Sequence, residues 1–149
     1  MRKCYNLGME VSGLNAMSGE AAQFITTLAV RDTGATVVAL SGELGAGKTT
    51  FAQGMALALG VEERVTSPTF VLEKIYELQD QKWRHLIHID AYRINDAHEL
   101  EVLGWHEIVA DPSNLIIIEW PENVAALIPS SAKRISLTGT GDAREIIYG

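Results

Sequence analysis

The residues best able to do chemistry lie in one short string. Gly42-Glu43-Leu44-Gly45-Ala46-Gly47-Lys48-Thr49 fits the spacing G-x-x-x-x-G-K-[ST]. Glycines at these positions let the backbone curl until successive amide hydrogens converge on a polyphosphate, and a helix N-terminus adds the positive end of its dipole. Lys48 supplies a mobile positive charge. Thr49 offers a hydroxyl in the first helical turn, where it can ligate magnesium, a cation that wants hard oxygen donors in octahedral geometry. Thr50 is the helix residue beside it. The plainer alternative is a glycine-rich turn that only links a strand to a helix. Context favours phosphate binding, because Thr36-Val37-Val38-Ala39-Leu40 reads as a buried strand just before the string and a helix follows it.

A magnesium nucleotide site also needs a carboxylate at the tip of a buried strand. Leu115-Ile116-Ile117-Ile118-Glu119 ends in one, and His85-Leu86-Ile87-His88-Ile89-Asp90 ends in another. Strand alternation puts His88, Asp90 and Tyr92 on one side if the chain stays extended. Either acid can instead be a cap at a strand end. Ser67-Pro68-Thr69-Phe70 places hydroxyls on a loop that could sense a terminal phosphate, although Ser-Pro also simply starts a strand edge. Trp120, next to Glu119, is either a core anchor or a wall of the nucleotide mouth. His85, His88, His98 and His106 lack metal-ligand spacing, and with Cys4 as the only cysteine they read as structural or solvent-facing.

These groups must be positioned by elements that the apolar pattern marks out. Tyr5 to Val11 reads as a short strand. A helix capped by Ser18 carries Ala21, Phe24, Ile25, Leu28 and Ala29 at helical spacing until Gly34. The helix after the glycine-rich string runs from Lys48 to Leu59 and stops at Gly60. Phe70–Tyr76 and His85–Ile89 form an antiparallel pair around a polar turn. Asn95 caps an acidic amphipathic helix ended by Gly104, and Leu115–Ile118 is a second buried strand, followed by a short helix through Leu127. Arg134–Thr138 and Glu145–Tyr148 close the sheet. The sum is an α/β fold in three layers: a mixed, mainly parallel central sheet with an antiparallel hairpin, forming one domain over residues 1–149.

Composition narrows the function. Twelve Lys plus Arg against 19 Asp plus Glu give a net charge of -7, which argues against a broad basic face for DNA or other nucleic acid. One cysteine points to a reducing compartment and so to the cytoplasm. No run of eighteen apolar residues suggests a membrane span. Residues 94–132 contain neither Lys nor Arg, where a nucleoside or small-molecule kinase would need cationic lid residues, and Arg93 is the only nearby internal candidate. The residues therefore suggest a compact ATPase, weak alone and dependent on a partner. A small-molecule kinase and a non-hydrolysing nucleotide-gated binding module are the rival readings.

With these strings in hand, the chain resembles the TsaE family of small P-loop ATPases in bacterial tRNA threonylcarbamoyladenosine biosynthesis. The resemblance rests on Gly42 through Thr50, on Ser67-Pro68-Thr69-Phe70, on His88-Ile89-Asp90-Ala91-Tyr92-Arg93 and on Glu119-Trp120-Pro121-Glu122, in that order. It implies ATP on the Gly42 to Thr49 loop, Thr49 and Glu119 on magnesium (Mg2+), Asp90 essential to hydrolysis and Ser67 to Phe70 as a switch-like loop. It also implies action with the TsaD and TsaB proteins, whose transferase complex the ATP cycle would reset, with tRNA engaged only indirectly. The expected nucleotide contacts are Gly42, Glu43, Leu44, Gly45, Ala46, Gly47, Lys48, Thr49, Thr50, Thr69 and Trp120. The expected catalytic residues are Lys48, Asp90 and Glu119. Thr49, Glu119 and Asp90 are the metal candidates, and which of the two acids ligates directly stays open.

Overall fold

The computed structural model describes residues 9–43, 45–62, 73–139 and 143–149. Its elements run β1 (Met9–Ser12), α1 (Gly13–Thr26), β2 (Thr36–Ser41), α2 (Lys48–Ala58), β3 (Glu73–Glu77) and β4 (His85–Asp90). Then come α3 (Ala97–Val102), α4 (Trp105–Ala110), β5 (Asn114–Glu119), a 3-10 helix (Pro121–Leu127), β6 (Lys133–Thr138) and β7 (Ala143–Tyr148). Among the described residues the strands form one seven-stranded sheet in the order β1-β7-β6-β2-β5-β4-β3. The four central strands are mutually parallel, and antiparallel partners extend the sheet at both ends.

Two layers of helix cover this sheet because its central strands are apolar on both faces. Val38 and Leu40 of β2, with Leu115 and Ile117 of β5, join Phe51, Met55 and Leu28 in one buried cluster on the α1 and α2 side. The alternate residues Val37, Ala39, Ile116 and Ile118 join Leu100 and Trp105 on the α3 and α4 side. Each such aliphatic contributes roughly 1.5–3 kcal/mol by leaving water, which is why continuous aliphatic runs belong at the centre of a doubly covered sheet. The helices α1 and α2 approach closely at Gly54, where a Cβ would stand 2.9 Å from both Ser18 Cα and Ala21 Cβ.

The expected α/β architecture is present, with differences at element ends. Ser18 does not cap α1, which already begins at Gly13; Ser18 sits inside the helix against Gly54. The helix also ends at Thr26 instead of continuing toward Gly34. There the Thr26 and Thr27 hydroxyls donate to the carbonyls of Gln23 and Phe24, at 2.6 and 2.7 Å, and satisfy groups that further turns would have used. Asp96, not Asn95, caps α3, accepting from His98 N at 2.9 Å. The helix α4 is an addition, set off from α3 by Gly104. The segment through Leu127 is 3-10 helix, kinked at Val124. In the described residues the first strand begins at Met9 and the hairpin strand at Glu73, so Tyr5 to Gly8 and Phe70 to Leu72 lie outside them. No helix among the described residues is long and apolar enough to cross a membrane.

One consequence of the parallel register matters for chemistry. Leu40 and Asp90 both pair with Glu119, so the carboxyl ends of β2, β4 and β5 reach the same edge of the sheet. That edge is where open α/β sheets bind ligands.

Candidate functional site

The loop after β2 is shaped by a close backbone approach. Gly42 has φ +150, and a Cβ there would stand 2.5 Å from the carbonyl oxygen of Leu137 in β6, so no side chain fits. The chain then turns, with Ala46 N donating to Glu43 O at 3.1 Å, and enters α2 through Gly47, which is left-handed and brings no capping side chain. The first-turn amides of α2 thus lack a side-chain cap from Gly47, the arrangement that receives anions.

Lys48 opens the helix yet is buried. Its ammonium donates to the carbonyl of Gly42 and, at 3.0 Å, to that of Glu43, and it lies 4.2 Å from the centroid of the Trp120 ring. Burial pulls its pKa below the ordinary lysine value, against the opposing pull of Glu119, Glu122 and Asp90. Trp120 is itself unusual. It adopts φ +61 ahead of Pro121, a left-handed conformation that costs a bulky residue on the order of 1–3 kcal/mol. Its amide donates to Leu40 O at 3.2 Å, tying the end of β5 to β2, and Tyr92 packs on its ring at 4.9 Å between centroids.

The acids come from the strand ends. Strand alternation aims Glu119 and Asp90 at the α2 side, in line with Leu115, Ile117 and Leu86 of that cluster. Glu119 is 3% exposed, and its two oxygens have separate partners: Oε1 accepts from Thr49 Oγ1 at 3.5 Å, and Oε2 lies 2.6 Å from His88 Nε2. Asp90 Oδ1 accepts from Tyr92 N at 3.0 Å, which folds the chain sharply after β4. Ala91 N donates to Glu119 O at 2.9 Å and locks the two strand ends together.

Between these walls lies a cleft of about 330 Å³. Of the residues expected from sequence, Gly45, Gly47, Lys48, Thr49, Thr50, Asp90, Glu119 and Trp120 all line it. Gly42 and Glu43 do not line it, but their carbonyls hold the Lys48 ammonium that does. Ala46 is buried away from it. Leu44 and Thr69, with the rest of Ser67 to Phe70, lie outside the described residues. The donors Thr49 Oγ1 and Glu119 Oε1 suit magnesium: both are hard oxygens, and their 3.5 Å separation leaves room for the ion or its bound water. Among the described residues no group of three or more His, Cys, Asp or Glu forms a metal cage, so an ion there would take its remaining ligands from phosphate and water.

Two cleft residues, and one buried behind the cleft, were not legible as such. Arg144 reaches the cleft from β7, and its Nε would stand 3.6 Å from a Cβ built on Gly47. It adds a second internal arginine to Arg93, which also lines the cleft and was the one nearby candidate expected beyond Lys48. Tyr92 forms part of the rim. His88 is not solvent-facing but fully buried against Glu119, whereas exposed His106 sits on Glu101 at 3.0 Å as a surface pair.

Comparison with known proteins gives this geometry a context. The model of the family described as "Threonylcarbamoyl adenosine biosynthesis protein TsaE" matches residues 15–146. The tRNA threonylcarbamoyladenosine biosynthesis protein TsaE of Treponema pallidum is 40% identical over 111 residues, covering 74% of this chain and 78% of that one. Its namesake in Borreliella burgdorferi is 38% identical over 102 residues, covering 68% and 71%. Among solved structures, the crystal structure of YdiB from Bacillus subtilis superposes with a TM-score of 0.71 at 26% identity, covering 95% of this chain and 83% of that one.

Proposed function

The chain belongs to the TsaE family, and from that premise we propose that it binds ATP with magnesium in the cleft and hydrolyses it slowly, as the nucleotide-driven component of the machinery that installs threonylcarbamoyl on tRNA. The observation that carries the reading is the meeting of Thr49 and Glu119 beside Lys48 at the open edge of the sheet. In this reading the amides from Gly45 to Thr50 cradle the phosphates. Lys48 exchanges the carbonyls of Gly42 and Glu43 for phosphate oxygens, a swap that returns a desolvated ammonium to strong anionic partners. Thr49 and Glu119 hold magnesium, which when bound neutralises charge on the outer phosphates.

Asp90, fixed at the end of β4, orients the attacking water. The water oxygen bonds to the terminal phosphorus as the bond to the bridging oxygen breaks, one water proton stays on the phosphate and the other passes to solvent, giving ADP and free phosphate. Arg144 adds positive charge on the Gly47 side. The lack of Lys and Arg over residues 94–132 leaves no cationic lid in that stretch for a second phosphoryl acceptor, which supports water as acceptor. Weak turnover alone suits a protein whose cycle is completed by partners, here the TsaD and TsaB proteins, which its hydrolysis would reset between rounds in the cytoplasm.

The test is release of phosphate from magnesium ATP, with the protein alone and with TsaD, TsaB, threonylcarbamoyl donor and tRNA. Slow release that rises in the full mixture, with repeated rounds of tRNA modification, is the expected result. Tight ATP binding with no phosphate release in either mixture would instead make this a nucleotide-gated binding module. Phosphate transferred to an added metabolite would make it a kinase.

A further inference from the structure

His88 is 1% exposed, more deeply buried than Glu119, Lys48 or Asp90. It stands on the face of β4 that carries Leu86 and Asp90, in register with Ile117 and diagonal to Glu119 on the neighbouring strand. Its Nε2 meets Glu119 Oε2 at 2.6 Å, while Nδ1 has no hydrogen-bond partner among the described residues. Among the described residues the ring's one polar anchor is therefore Glu119, and the bond fixes the plane of that carboxylate. A free carboxylate swings its plane by rotating about its last bond. With Oε2 held by His88, Oε1 is the oxygen turned toward Thr49, 3.5 Å away.

We infer that His88 is a positioning residue for magnesium: it holds the Glu119 carboxylate in the one orientation that pairs Oε1 with the Thr49 hydroxyl. The inference rests on the reading of Glu119 as the metal carboxylate. Groups that orient a metal ligand in this way, without touching the metal, typically change metal affinity by about 10–100-fold when removed.

Side-chain length supplies the test. A glutamine amide nitrogen falls close to the position of the imidazole Nε2, whereas an asparagine amide nitrogen falls near Nδ1 and does not reach Glu119. Binding of a non-hydrolysable ATP analogue would be measured by calorimetry across a magnesium titration and in chelator, for wild type, His88→Gln, His88→Asn and Glu119→Gln, with melting curves to verify folding. The expected result is that His88→Asn raises the magnesium concentration needed for half-maximal tightening by about 10–100-fold. His88→Gln should keep the wild-type value, and affinity in chelator should be the same in wild type and the two His88 variants. Equal behaviour of His88→Asn and His88→Gln would overturn the inference, since packing and not the hydrogen bond would then be at stake. So would a wild-type magnesium requirement in His88→Asn alongside a raised one in Glu119→Gln. If Glu119→Gln leaves the requirement unchanged, the placement of Glu119 on magnesium has failed and His88 loses its role with it. A wild-type protein that binds no analogue at any magnesium level would overturn both.

Discussion

The two walls of the cleft present different kinds of chemical group. On the side of the loop after β2, backbone plays a large part: the first-turn amides of α2 have no side-chain cap from Gly47, and the carbonyls of Gly42 and Glu43 hold Lys48. On the side of β4 and β5, the facing groups are side chains, namely Asp90, Glu119 and Trp120, each fixed by one or two hydrogen bonds or ring contacts. A backbone wall binds by shape and tolerates changes in side chain, as long as the turn itself forms. A side-chain wall concentrates each task in a single residue. The first suits binding, which many weak contacts share, and the second suits a chemical step, where a single group must stand in one place.

Substitutions on the two walls should separate these roles. The largest effect is expected for Asp90→Ala, which should lower phosphate release by about 10²–10⁴-fold. Nucleotide affinity should stay within about tenfold, about 1.4 kcal/mol. Wild-type turnover in this variant would remove Asp90 from the chemistry and break the division. Lys48→Ala should act mainly on binding, weakening magnesium ATP by about 100-fold, or about 2.8 kcal/mol, as expected for a charged donor lost from a phosphate. Equilibrium binding measured beside turnover checks this. The smallest effect is expected for Arg144→Ala, a loss of about tenfold in affinity. The loss should be equal for ADP and ATP, because Arg144 stands beside Gly47. A loss confined to ATP would instead place its charge over the terminal phosphate.

The same contrast explains what could be read from the sequence. The backbone wall was legible because a tight turn and a close approach exclude most residue types, leaving a recognisable string from Gly42 to Thr49. Glu119 was legible as an acid ending a run of aliphatics. Helix boundaries were less so: Ser18 has the chemistry of a cap, but α1 starts earlier at Gly13, and tertiary contact with Gly54 governs that region. The short helix Trp105–Ala110 has too few turns to show a period. Arg144 was invisible for a different reason. Nothing in its neighbourhood marks it, and only the strand order carries it to Gly47. His88 was seen on the right side of its strand, but its hydrogen bond depends on the diagonal offset between two parallel strands, which composition does not encode.

The pairing of β1 with β7 joins Met9 to Ile146, so the edge of the sheet that holds Arg144 closes a very long chain loop. On the ribosome, the phosphate loop and its lysine emerge well before that strand does. A nascent chain with only β2 and α2 formed would have an open cleft, lacking the Leu137 carbonyl against which Gly42 packs and the walls supplied by Asp90, Glu119 and Arg144. Closing it depends on contacts between distant parts of the sequence, the slow class in folding. Assembly of the cleft is thus completed late in translation order, when the strand that carries Arg144 arrives.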